Sequence, residues 1–213
     1  MTPHLVIAID GPAASGKGTL ARRLAERYRL PHLDTGSLYR AVGRDVLAAG
    51  GDPADPKAAA AASLALDAGT LEDPRLRDED VGRASSQVAV HPGVRAALLA
   101  FQQRFASRPG GAVLDGRDIG TVICPSAPVK LYLTASVAAR AERRFKELQA
   151  RGEAADLEKL SADIEARDAR DSARATAPLK PAPDAVELDT TMLDADQVFA
   201  RAIELVEAVR RRL

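Results

Sequence analysis

The 213-residue chain has no tryptophan, one cysteine, four phenylalanines and three tyrosines. It also has no asparagine, so the N-K-x-D motif that reads guanine in GTP-hydrolysing switches cannot exist in it. Cys124 has no partner for an internal disulfide and no Cys/His cluster has zinc-site spacing, which suits a reducing compartment and speaks against a structural metal. Cys124 therefore reads as packing. Neither sign of charge predominates: 30 Lys and Arg balance 30 Asp and Glu, so the long-range field that draws proteins to nucleic acid or anionic lipid is missing. With so few aromatic rings for base stacking, a nucleic-acid-binding role for the arginines of 140–174 is the weaker reading. Long apolar runs are absent too. Nothing approaches the ~20 residues of a membrane span, and residues 5–9 lack the basic flank and the length of a signal peptide. These absences predict a cytoplasmic protein with neither membrane nor nucleic-acid partners.

What is present is alternation. Five short apolar segments, at 5–10, 30–34, 112–115, 129–134 and 185–189, are separated by helix-length stretches with 3.6-residue periodicity, such as 136–150 and 195–212. The pattern predicts an α/β fold, a five-stranded parallel sheet covered by helices on both faces. In such sheets the ligand lies beyond the carboxyl ends of the strands, where four of the five segments reach an aspartate: Asp10, Asp34, Asp115 and Asp189. An Ala-rich helix is expected at 57–68 and another running to about 107. Between them, residues 71–83 are polar and weakly periodic, which predicts a surface insertion. The whole chain reads as one domain, with its core at about 1–62, 84–135 and 183–213, an insertion at about 63–83 and a lid at about 151–175.

The segment Gly11-Pro12-Ala13-Ala14-Ser15-Gly16-Lys17 fits G-x-x-x-x-G-K, and a buried strand and a helix flank it as that motif requires. Glycines let the backbone curl so that successive N–H groups face a polyphosphate, while the helix N-terminus adds its dipole and Lys17 a point charge. Residues Gly11 to Thr19 are thus expected to bind ATP. Gly18 stands where the Mg²⁺-binding hydroxyl usually lies, and the hydroxyl comes one place later at Thr19. A loop ending G-K-G-T resembles those of nucleoside-monophosphate kinases, in which the metal keeps more of its water.

Phosphoryl transfer needs an acceptor site whose cations neutralise charge spreading over the transferred group. Three arginine clusters offer one: Asp34-Thr35-Gly-Ser-Leu-Tyr39-Arg40, Asp115-Gly-Arg117-Asp118, and Arg167-Asp168-Ala-Arg170-Asp171-Ser-Ala-Arg174. Residues 167, 170, 171 and 174 share one helix face. The bland alternative is a solvated ion-pair face, which the alternation of Asp163, Arg167 and Asp171 at four-residue spacing would suit. Arg170 and Arg174, like charges four apart, fit it worse. For Asp115 the alternative is a helix N-cap, and Asp10 and Asp34 equally admit one.

Together these motifs resemble the bacterial cytidylate kinase family over nearly the whole chain. The resemblance rests on GPAASGKGT (11–19), DTGSLYR (34–40), ASSQVAVHPGVR (84–95), DGRDIGTVICPSAPVKLYL (115–133) and ARDARDSARATAPLKPA (166–182). It implies transfer of the ATP γ-phosphoryl group to CMP or dCMP with Mg²⁺, Lys17, Arg117 and Arg170 serving the transfer. It implies that Arg40 and Arg117 bind the acceptor phosphate, that Ser86, Arg95, Asp118 and Arg174 surround the cytosine, and that Arg167 and Asp171 lie near the ribose, with Thr35 and Tyr39 also lining the substrate site. Asp115 would reach Mg²⁺ through water. Many members carry a small antiparallel sheet in the insertion, whereas residues 63–83 lack alternating strands. A kinase for another small acceptor, such as shikimate or gluconate, would also need an arginine site and is the main rival.

Overall fold

The computed structural model describes residues 4–212; the outermost residues of the expected domain, 1–3 and 213, lie outside them. Five strands, β1 (Leu5–Asp10), β2 (His32–Asp34), β3 (Gly111–Gly116), β4 (Val129–Thr134) and β5 (Val186–Asp189), form one sheet in the order β2-β3-β1-β4-β5. All the pairings are parallel. The expected α/β architecture is therefore present, with β1 central and its carboxyl end flanked by those of β3 and β4.

Period-two alternation assigns each strand residue to a face. Val6 and Ala8 of β1 join Ala112 and Leu114 of β3 beneath α2 (Thr35–Ala48) and α5 (Pro92–Ala106), where Leu38, Val42, Val94 and Leu98 are buried. Leu5, Ile7 and Ile9 point the other way, toward Leu20 and Leu24 of α1 (Lys17–Tyr28) and Val198, Ala202 and Val206 of α8 (Ala195–Arg210). Each Leu, Ile or Val so buried contributes about 2 kcal/mol.

Three boundaries differ from expectation. β2 starts at His32 rather than residue 30, because the Leu30 N–H closes the end of α1 on the Ala25 carbonyl. The Ala-rich α3 (Pro56–Leu64) stops short of residue 68, where Asp67 caps a separate turn through the Gly69 N–H at 2.8 Å. The helix expected to run to about 107 is two helices, α4 (Glu79–Val88) and α5, because Pro92 opens α5 and keeps the residue before it out of helical conformation. The segment 63–83 contains no strand. It is nonetheless anchored, with Leu76 and Val81 buried against Ala41 of α2.

Beyond β4, α6 (Val137–Ala150) and α7 (Leu157–Ser172) form an antiparallel pair with a small core of their own, Ala141, Leu148, Leu160 and Ile164. That core is separate from the two sheet faces. Polar side chains tie the pair to the body, Arg140 to the Ala13 carbonyl, Arg143 to the Thr190 hydroxyl and Arg144 to Glu79.

Candidate active site

The turn after β1 is built by backbone conformation. Gly11 has φ 143°, and a Cβ there would collide with the Leu133 carbonyl of β4; Gly16, at φ 92°, directs the chain into α1. Three loop carbonyls are tied away from the cleft: Pro12 O accepts from Lys17 Nζ at 2.6 Å, Ala13 O from Arg140 at 3.2 Å, and Ser15 O from the Thr190 hydroxyl at 3.3 Å. Among the described residues no hydrogen bond engages the N–H of Ala13, Ala14, Ser15 or Gly16. The loop is thus a set of unsatisfied donors at a helix N-terminus, which is an anion cradle. Burial, reinforced by the charge of Arg117, pushes Lys17 down to about 7.

Facing the loop is a cavity of about 200 Å³. Lys17, Thr35, Tyr39, Arg40, Ser86, Arg95, Asp115, Arg117, Asp118, Arg167, Asp171 and Arg174 all line it, although they come from six separate stretches of chain. Arg170 lies outside it. It lines an adjoining cleft of about 540 Å³ between the lid pair and the insertion, into which Arg40 and Arg167 also face.

Inside the cavity the charges are cross-braced. Arg117 Nε donates to Asp171 at 2.9 Å, Arg174 pairs with the other oxygen of Asp171, and Arg95 pairs with Asp118 while lying 5.6 Å from the centre of the Tyr39 ring. Arg167 and Arg170 reach α4 through the Ser85 and Ser86 hydroxyls, each at 3.3 Å. The solvated ion-pair face is therefore not what α7 presents: Asp171 is buried and its partners lie inward. Arg170 and Arg174 diverge, which relieves their repulsion. Burial alone would raise Asp171, yet Arg117, Arg174 and Arg167 hold it below the usual carboxylate range. Burial and the neighbouring Arg117 push Arg167 down to about 10, so the site carries an excess of buried positive charge. Nε of Arg167 and Nε of Arg174 are buried without a hydrogen-bond partner among the described residues.

Other residues are occupied differently from expectation. The Thr35 hydroxyl donates to the Asp115 backbone carbonyl at 2.8 Å, bracing α2 against β3, and Arg40 pairs with Asp34. Asp115 is no helix cap. It lies within β3, and its Oδ1 meets His32 Nε2 at 2.7 Å. Its Oδ2 faces the loop, 3.9 Å from where a Cβ on Gly18 would stand. Nor does the Asp34 side chain cap α2.

Sequence reasoning missed three residues, His32, Arg140 and Thr190, and placed Asp10 at the ligand edge of the sheet without giving it a role. Arg140 is buried, bonding the Ala13 carbonyl and Asp168 of α7 and so joining lid to loop. A basic residue on an otherwise polar helix gives no signal of that kind. His32 could have been found, since it lies two residues before Asp34 on a strand that must neighbour the loop.

A G-x-x-x-x-G-K turn after the central strand of a parallel sheet, with a basic cavity facing it and a helical lid above, defines a P-loop kinase with an anionic acceptor. A family model described as cytidylate kinase matches residues 7–208. A cytidylate kinase of Granulibacter bethesdensis is 62% identical over 203 residues, covering 95% of this chain and 97% of the relative. A cytidylate kinase of Xanthobacter autotrophicus is 62% identical over 206 residues, covering 97% and 99%. Among solved structures, a gluconokinase from Sinorhizobium meliloti superposes with a TM-score of 0.52 at 17% identity, covering 99% of this chain and 95% of that one, a likeness of fold alone. The chain belongs to the cytidylate kinase family.

Proposed function

We propose that the protein transfers the γ-phosphoryl group of ATP to CMP or dCMP, giving CDP or dCDP and ADP, and works as a monomer. The observation that carries this reading is the buried excess of guanidinium groups facing the loop: Arg117, Arg167 and Arg174 crowd round one carboxylate, Asp171. That excess of positive charge favours an anionic acceptor, whose phosphate Arg117 would meet together with Arg40.

In this reading the N–H groups of residues 13–16 and Lys17 hold the donor phosphates. Arg117 and Arg40, which must exchange Asp34 for substrate, hold the acceptor phosphate, while Arg170 reaches the transferred group as the lid closes. Asp118, framed by Arg95, accepts from the exocyclic amino group of cytosine and repels the carbonyl that uracil presents there. Ser86 and Arg174 bound the base, and Arg167 and Asp171 the ribose. No general base is required, since the nucleophile is already a phosphate oxygen and catalysis is mostly positioning.

The residues present suit a largely hydrated Mg²⁺: one carboxylate, Asp115, faces a loop without the usual hydroxyl. When bound, the ion supplies charge neutralisation across the donor phosphates. Among the described residues no helix is long and apolar enough to cross a membrane. The test is an acceptor screen by coupled ADP release with CMP, dCMP, UMP, AMP, shikimate and gluconate, with the product identified by chromatography. CMP and dCMP should lead. A faster rate with AMP or a non-nucleotide acceptor overturns the reading.

A further inference from the structure

Asp10 is the last residue of β1, immediately before the donor loop, yet its carboxylate faces the acceptor side. It is buried, and it accepts the N–H of Ile119 at 2.7 Å and of Gly120 at 2.8 Å, more than a hundred residues away in sequence. Those groups open the π-type turn Ile119–Ile123, which follows Arg117 and Asp118 directly. The same turn is closed by the Asp118 carbonyl, which accepts from Val122 at 2.9 Å and from Ile123 at 3.2 Å. Such turns are rare and cluster at functional sites. Its first N–H groups have no partner within the turn, and Asp10 supplies one from another strand.

The fit is close. A Cβ on Gly120 would lie 3.2 Å from Lys130 Cδ and 3.4 Å from Asp10 Oδ2, so a side chain there would press on both neighbours of the turn. Burial pushes Asp10 up to about 6 against the pull of the two N–H groups, with Asp118 raising it further and Lys17 lowering it. A buried carboxylate is an expensive way to satisfy two backbone donors. What it gains is a rigid connection between the strand that launches the donor loop and the corner that carries Arg117 and Asp118.

We propose that Asp10 is a positioning residue for the acceptor: by fixing the Asp118–Gly120 corner it sets where Asp118 meets the base and where Arg117 meets the transferred group. This rests on the CMP-kinase reading, which the wild-type acceptor screen tests by itself. Given CMP turnover by wild type, Asp10→Asn keeps the shape but turns an amide NH₂ toward one of the two donors. It is expected to lower kcat/KM for CMP at least tenfold and to shrink the CMP-over-UMP preference severalfold, with KM for ATP changing less than threefold. A merely structural role would not move the base preference. Asp10→Glu, which restores the charge on a longer arm, should recover part of the loss. Should Asp10→Asn fail to fold, Gly120→Ala presses on the same contact from the other partner and should shift the same CMP constants by a smaller factor. Equal losses toward CMP and ATP, or an unchanged CMP-to-UMP ratio in the folded variant, overturn the proposal.

Discussion

Binding of ATP at pH 8 should take up nearly one proton, and Lys17 should be the group that receives it. In the free protein Lys17 is buried beside Arg117 and is held down to about 7 by burial first and that neighbouring charge second. At pH 8 such an amine is protonated in roughly one molecule in ten, whereas an amine beside a polyphosphate returns to its ordinary range near 10 and is fully charged. The expected uptake is therefore about 0.9 proton per ATP, and recharging the amine takes about 1.4 kcal/mol from the binding free energy at that pH. The sign follows from linkage: the free folded state holds fewer protons at this group than the bound state, so raising the pH weakens binding once it exceeds 7. Calorimetric titrations in buffers of different ionisation enthalpy read the proton number from the slope. Lys17→Met is the control, and its uptake should vanish together with most of the affinity. An uptake near zero in wild type, or the same uptake in Lys17→Met, would refute the placement of this amine against the donor phosphates.

Arg117→Ala should leave ATP binding within about threefold while kcat falls by about 10²–10³, the usual scale for removing one donor to a developing charge. It also leaves Asp171 with Arg174 as its remaining close partner, so about 1.5–3 kcal/mol of stability, the worth of one hydrogen bond to a charged group, should go with it. A comparable loss of ATP affinity, measured by titration, would show that Arg117 serves the donor instead. The pH dependence of stability offers a second check. Asp10 is raised to about 6 in the folded protein from 3.8, so its contribution is fully present below pH 3.8 and is lost as the pH rises through 6. Two pKa units correspond to about 3 kcal/mol, as an upper bound. Urea midpoints between pH 4 and 7 should therefore fall more steeply for wild type than for Asp10→Asn, and parallel profiles would mean that the carboxyl is not so perturbed.

The sheet was legible because its inner strands β1, β3 and β4 are buried on both faces and read as apolar runs that turn residues interrupt, whereas the edge strands β2 and β5 are short and partly exposed. The donor loop was legible because its function needs glycines at fixed spacing, a constraint that survives in one dimension. Helix limits were less so: the break before α5 depends on Pro92, whose effect on the preceding residue is local and could have been read, whereas the anchoring of Leu76 and Val81 depends on tertiary contact with Ala41. The acceptor residues could be named from motif resemblance, but their bracing could not. That Asp171 is gripped by Arg117 from a different strand end, that Arg40 rests on Asp34, and that Asp115 leans on His32 are facts about how loops meet in space. Arg140, and the partners of Asp10, stayed hidden for the same reason, since a buried polar group satisfied by distant backbone leaves no periodicity behind.

In the proposed reading the choice of acceptor base turns on one buried carboxylate, Asp118, held by Arg95, and the ratio of kcat/KM for CMP to that for UMP, measured in wild type and in Asp118→Asn, tests it most directly. Wild type should favour CMP strongly. A hydrogen bond to a charged group is worth about 1.5–3 kcal/mol, so Asp118→Asn should lose roughly 10- to 150-fold toward CMP and far less toward UMP. Equal rates with the two acceptors in wild type, or an undiminished ratio in Asp118→Asn, would contradict the assignment.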